Sequence, residues 1–180
     1  MTDSLLRFEE RLVLSLRELY GSYGYRPFRM SCFEEYDLYA SNKDFLVSDR
    51  VITFNDTDGK LLALKPDVTL SIIKNAAVDK NIKNKVYYNE NVYRISKGNQ
   101  TYKEIMQLGL ECIGNIDLFS QCEVIALAIR SLESLGGSYL LNLSHTGIVD
   151  ALLTEGVSER SARKRILECL SSKNAHGIRE

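Results

Sequence analysis

Apolar residues recur at helical spacing near the start of the chain. Leu5, Phe8, Leu12, Leu16 and Leu19 define one face, Asp3 or Ser4 can cap it, and Gly21 stands where it should stop. The stretch 25–33 follows. Pro27 and its aromatic neighbours predict a single extended strand leading away from the helix. A polar stretch over 40–49 reads as a loop. Two apolar runs, 51–54 and 61–64, then flank Asn-Asp-Thr-Asp-Gly. Asp-Gly between apolar runs predicts a hairpin, because glycine accepts a positive φ without steric cost. The same acidic run could be read as a calcium loop. Phe54 would then fill the first ligand position and Lys65 the last, and neither can coordinate the ion, so the turn is preferred.

After Pro66, Asp67 is placed to cap a helix carrying Thr69, Leu70, Ile72, Ile73 and Ala76. A basic loop ends over 83–85. Two strand-like runs, 86–95 and 105–113, enclose a polar, turn-forming segment over 96–101 and predict a second, longer-looped hairpin. Asp117 opens another helix, with Phe119, Cys122, Ile125, Ala126, Ile129 and Leu132 on one face and Gly136-Gly137 at its end. The apolar run 139–143 predicts a short buried strand, 145–153 and 158–170 predict helices, and 171–180 shows no closing element. Antiparallel strand pairs mixed with helices make the fold class α+β. With no repeat and no clear linker, residues 1–180 are expected to form one domain.

Composition narrows the function classes. The chain has 180 residues, 44% hydrophobic, enough for a real core. With 23 basic and 24 acidic residues the formal charge is −1, which excludes a polybasic nucleic-acid arm or an acidic tail. No apolar run reaches the roughly 20 residues of a membrane helix. The N-terminus lacks the basic and apolar regions of a secretory signal. Cys32, Cys112, Cys122 and Cys169 form no CxxC pair and have no metal-finger spacing, so they read as reduced thiols of a cytoplasmic protein. His145 and His176 have no ligand-type neighbour in sequence, so no metal site is expected. Dinucleotide, Walker and Ser-His-Asp patterns are absent. The loosely spaced lysines between 80 and 103 read as a solvated face, with nucleic-acid contact as the minor alternative.

The second hairpin carries the candidate chemistry. Gln107, Gly109 and Glu111 share a parity and therefore one face of a strand, with Met106, Leu108, Leu110 and Cys112 on the other. Glycine at that position predicts open space above the sheet, where a ligand can approach the backbone. Gln107 and Glu111 could hold an amine or imidazole. Arg94 on the paired strand, with Glu90 nearby, offers a planar fork for a carboxylate or phosphate. Asp67 and Thr69 add an acceptor and a hydroxyl. The set suits both ends of a small zwitterion; it also suits a solvated sheet face with ordinary cross-strand ion pairs.

These segments resemble the catalytic core of class II aminoacyl-tRNA synthetases, histidyl branch. The matching runs are 24–34, 62–69 with Lys-Pro-Asp-Val-Thr, 87–94, 107–114 with Gln-Leu-Gly-Leu-Glu, 121–125 and 142–153. The resemblance implies an antiparallel sheet flanked by helices. It covers nearly all of the chain, so it implies a core lacking the C-terminal motif region. That branch holds the synthetase itself and a paralogue, the regulatory subunit of ATP phosphoribosyltransferase. Ser96 stands where the synthetase has an acidic residue two positions after its hairpin arginine. The loop 97–103 has no Arg, Asp67 replaces a usual Glu, and the runs 33–38 and 102–107 are nearer the regulatory type. Ser31 or Cys32 stands where the first family motif has proline.

The resemblance therefore implies a non-catalytic regulatory subunit that the enzyme requires for activity and for histidine feedback in the first step of histidine biosynthesis. Histidyl-tRNA synthetase is the alternative. It implies Asp67 and Thr69 at the α-amino group of histidine, Arg94 at its carboxylate, and Gln107 and Glu111 on the pocket floor. No resident cofactor is implied; histidine is the expected effector, and ATP belongs only to the alternative. The expected partner is the short-form ATP phosphoribosyltransferase catalytic subunit, bound by a homodimer within a hetero-oligomer, with no membrane contact and with tRNA only under the alternative.

Overall fold

The computed structural model describes residues 5–42, 51–75, 82–96, 99 and 101–178. The chain divides into two compact units, Met1–Ser138 and Tyr139–Glu180.

The first unit opens with α1 (Phe8–Ser22). It starts three residues later than the periodicity suggests. Arg7 is the N-cap, and its backbone N–H donates to Glu10 at 2.8 Å. The proposed caps Asp3 and Ser4 lie outside the described residues. Gly21 sits inside the helix. The reversal falls at Gly24, whose φ of 82° lies in the left-handed region that favours glycine.

The expected single strand over 25–33 is two short strands in two different sheets. β1 (Arg26–Pro27) pairs in parallel with β5 (Asn84–Ile95), and β2 (Phe33–Glu35) pairs with β4 (Leu61–Leu64). Proline supplies no N–H to continue a ladder, so the chain leaves the first sheet after Pro27. α2 (Tyr36–Ala40) follows β2. The hairpin of β3 (Thr53–Asn55) with β4 forms as expected. Asp56 Oδ1 accepts from the N–H groups of Asp58 (2.9 Å) and Lys60 (2.8 Å), and Gly59 takes φ 80°. One carboxylate oxygen of the acidic run, Asp56 Oδ1, is thus spent on its own turn.

α3 (Thr69–Asn75) begins behind Asp67, whose Oδ1 accepts from Leu70 N–H at 3.3 Å. Its expected continuation to Ala76 falls outside the described residues. The long hairpin of β5 and β6 (Tyr102–Ile113) is antiparallel over its full length, from Asn84↔Ile113 to Ile95↔Tyr102. α4 (Leu118–Ser134) is capped by Asp117, which accepts from Ser120 N–H at 2.8 Å.

The sheet order is β1-β5-β6, with β2-β4-β3 as a second sheet. One face of the first sheet packs on α1 and α4 through Leu16, Tyr20, Tyr25, Tyr87 and Leu127, with Leu108, Leu110 and Cys112 against them. Met106 shares their parity but lies beyond this cover and is 53% exposed. The opposite face meets α3 through Val68, Ile72, Val86 and Val92. A smaller cluster of Tyr39, Ala63 and Leu70 joins α2, β4 and α3.

The second unit holds α5 (Thr146–Gly156) and α6 (Arg160–Ser171), both as expected. Arg163 ties their junction, donating from Nε to Val157 O at 2.6 Å and from Nη1 to Thr154 Oγ1 at 3.3 Å. The strand expected over 139–143 does not form. Leu140 and Leu143 are 83% and 66% exposed, and a strand without a neighbouring ladder has nothing to take its N–H and C=O groups. Among the described residues no helix is long and apolar enough to cross a membrane. The architecture is α+β.

Candidate functional site

The face of the β5–β6 hairpin turned away from α1 carries the site. Register places Val86 opposite Glu111, Tyr88 opposite Gly109 and Glu90 opposite Gln107. Strand alternation puts these residues, with Val92 and Arg94, on that one face.

The segment 65–69, between β4 and α3, is fastened over this face. Lys65 N–H donates to Cys32 O at 3.1 Å, and Lys65 O accepts from Tyr93 N–H at 2.9 Å. The Lys65 ammonium donates to Glu90 Oε2 at 2.5 Å, with the lysine side chain 1% and the glutamate 16% exposed. Arg94 Nε donates to Pro66 O at 3.0 Å. Thr69 Oγ1 donates to Glu111 Oε1 at 2.6 Å.

The segment thus meets the residues singled out from the sequence at two points: Thr69 meets Glu111, and Arg94 meets Pro66 beside Asp67, while Arg94 and Glu111 themselves stand toward opposite ends of the hairpin, Arg94 paired with Lys103 and Glu111 with Val86. Gln107 shares the sheet face and is half-buried, but among the described residues no hydrogen bond joins it to the other four. Burial pushes the Glu111 carboxyl above its ordinary value, the Thr69 hydrogen bond opposes that push, and the nearby Asp67 charge adds to it. The site thus offers two neighbouring acidic groups, a hydroxyl and a guanidinium. A cation is favoured near Asp67 and Glu111, and a carboxylate or phosphate can meet Arg94.

The expected open space above Gly109 is filled. A Cβ at this position would lie 2.5 Å from the Tyr88 hydroxyl and 2.7 Å from its Cζ. Glycine is needed because the cross-strand tyrosine lies on it. Burial raises the Tyr88 phenol to about 12, with the Glu111 and Asp67 charges adding to the effect. Tyr88 and Lys65 are the members of the site that the sequence reading missed. An aromatic residue opposite a strand glycine is the signal for Tyr88. For Lys65 no periodic signal exists, since a lysine ending an apolar run reads as the strand's exit to solvent.

The histidyl-tRNA synthetase family model matches residues 3–180. The chain is 28% identical over 172 residues to an ATP phosphoribosyltransferase regulatory subunit of Clostridium kluyveri, covering 92% of this chain and 44% of that one. It is 28% identical over 152 residues to a histidine–tRNA ligase of Archaeoglobus fulgidus, covering 82% and 37%. A crystal structure described as an ATP phosphoribosyltransferase regulatory subunit/histidyl-tRNA synthetase from Bacillus halodurans superposes with a TM-score of 0.77 at 28% identity, over 94% of this chain and 45% of that one. The chain spans less than half the length of the curated relatives it matches. Its fold is that of the class II aminoacyl-tRNA synthetase core. The chain belongs to the histidyl-tRNA synthetase family and resembles the paralogue that serves as the regulatory subunit of ATP phosphoribosyltransferase.

Proposed function

We propose that this protein acts as a non-catalytic regulatory subunit of an ATP phosphoribosyltransferase in the cytoplasm, required for activity and conferring histidine feedback. One observation carries the reading: Arg94 is followed by Ser96 and a loop without arginine, where a nucleotide-activating site needs charge to neutralise phosphates. Arg94 itself is engaged by the Pro66 carbonyl. Histidine is the effector, with its ammonium between Asp67, Thr69 and Glu111, its carboxylate on Arg94, and Gln107 on the floor. The partner is the short-form catalytic subunit, bound by a homodimer of this chain.

The test is a mixing experiment. The protein is combined with the short catalytic subunit of the same organism, and phosphoribosyl-ATP formation is followed with and without histidine. Activity that needs both chains and falls with histidine is expected. No complex and no change in activity would overturn the reading. The comparable similarity to histidine–tRNA ligases favours histidine activation as the second reading. Histidine-dependent ATP–pyrophosphate exchange well above a blank would establish that one instead, together with tRNA binding that weakens steeply with salt.

A further inference from the structure

Tyr39 of α2 is fully buried and packs with Ala63 of β4 and Leu70 of α3. Its hydroxyl is the one buried side-chain polar atom without a hydrogen-bond partner among the described residues. An unpaired buried hydroxyl is a cost to the fold that phenylalanine, of nearly the same shape, would avoid. Packing alone therefore does not account for a tyrosine at this position.

The groups around the hydroxyl differ in what they have left to offer. Burial raises the Tyr39 phenol to about 12, the Ser71 side chain opposes the rise, and the Glu34 and Asp67 charges add to it. The phenol is thus a neutral donor at physiological pH with two carboxylates nearby. Glu34 is engaged by both oxygens, since Lys74 Nζ donates to Oε2 at 2.8 Å and Ser71 Oγ to Oε1 at 3.4 Å. Asp67 is the freer of the two. Its Oδ1 accepts from Leu70 N–H over a long 3.3 Å, and its Oδ2 has no partner among the described residues. Leu70 is also the residue on which the Tyr39 ring packs, so the unpaired donor and the loosely held carboxylate meet at the same turn of α3.

A ligand changes the demand on Asp67. An ammonium drawn to this carboxylate competes with the Leu70 N–H for its oxygens, and the carboxylate must be held where the ligand meets it. A buried donor can hold it without taking the side from which the ligand enters.

We propose that Tyr39 is the positioning residue for Asp67: its hydroxyl, unpaired in the free chain, donates to the Asp67 carboxylate when a ligand ammonium binds there. This rests on the reading that Asp67 receives the ammonium of histidine. The cost of the unpaired hydroxyl is then relieved on binding.

The test compares the full chain with Tyr39→Phe, which removes the hydroxyl alone. Histidine is titrated calorimetrically into each, and thermal unfolding of the free proteins is followed. Tyr39→Phe should weaken histidine binding about tenfold, the equivalent of one hydrogen bond to a charged group. Its Tm without histidine should equal or exceed that of the parent, because no hydrogen bond is lost in the free chain. Histidine should also shift the ultraviolet absorption of a tyrosine in the parent, a band absent from the difference spectrum of Tyr39→Phe. A merely structural role would instead lower Tm and affinity together. Equal affinity in the two proteins, the same difference spectrum in both, or a lower Tm for Tyr39→Phe without histidine would overturn the proposal while the reading of the site stands. A parent chain that binds no histidine would overturn both.

Discussion

Consider removing the carboxylate that holds Lys65. The ammonium is almost fully buried, 1% exposed, and Glu90 is its one ion-pair partner among the described residues. Glu90→Gln keeps the shape and an acceptor oxygen but leaves a buried cation without a counter-charge. Breaking a buried pair on one side costs roughly 3–5 kcal/mol. The lower end applies, because Glu90 is 16% exposed and water can reach the vacated side. For a chain of this length about 3 kcal/mol corresponds to a Tm drop on the order of 6–12 °C. Lys65→Met should cost less, since the glutamate left behind can turn toward solvent. The double variant Lys65→Met, Glu90→Leu removes both charges and should recover most of the loss. Thermal unfolding followed by near-UV tyrosine circular dichroism gives the four corners of the cycle. Hydrogen exchange at the Tyr93 amide, which is bonded to Lys65 O at 2.9 Å, reads the same anchor locally. A Glu90→Gln loss below about 1 kcal/mol, or a double variant no better than the single one, would refute the claim that this pair pins segment 65–69 as a desolvated charge pair.

Two further outcomes follow from the same face. Gly109→Ala should expel the Tyr88 ring, since the new methyl would lie 2.5 Å from its hydroxyl, at a cost of roughly 1–3 kcal/mol in denaturant unfolding; Tyr88→Leu should suppress that cost, whereas Tyr88→Phe should not, because Cζ already stands at 2.7 Å. Glu111 has a pKa raised by burial in the folded chain, so its contribution is fully present below the unfolded value and is lost as pH rises through the folded one; Glu111→Gln should therefore gain on the parent at neutral pH and lose that advantage on acidification, and carboxyl NMR of Glu111 should give a midpoint above 4.5.

Much of the fold is written in local rules. The Asp56–Gly59 turn, the Asp67 and Asp117 caps and the full pairing of the long hairpin each follow from neighbours in sequence. The misplacements share another cause. The run 25–33 reads as one strand because alternation says nothing about which sheet a strand joins, and the change from β1 to β2 is decided by partners on β5 and β4 that lie far along the chain. The run 139–143 is apolar enough for a strand, but a strand also needs a neighbour to pair with.

The site shows the same division more sharply. Parity alone brings Gln107, Gly109 and Glu111 to one face, and that placement survives. What stands over them does not follow from parity within one strand. Once the hairpin register is fixed, however, Tyr88 is opposite Gly109, and a tyrosine facing a strand glycine has only one way to bury its ring without a neighbouring methyl in the way. The apolar runs 86–95 and 105–113 do not fix that register, because β6 begins at Tyr102, and its polar first residues, Tyr102 to Glu104, pair with Ile95 to Tyr93. A ligand ammonium at Asp67 and Glu111 therefore approaches beside the Tyr88 ring rather than over bare backbone. The hydroxyl that meets Glu111 at 2.6 Å belongs to Thr69, so any such ligand must share or displace that hydrogen bond.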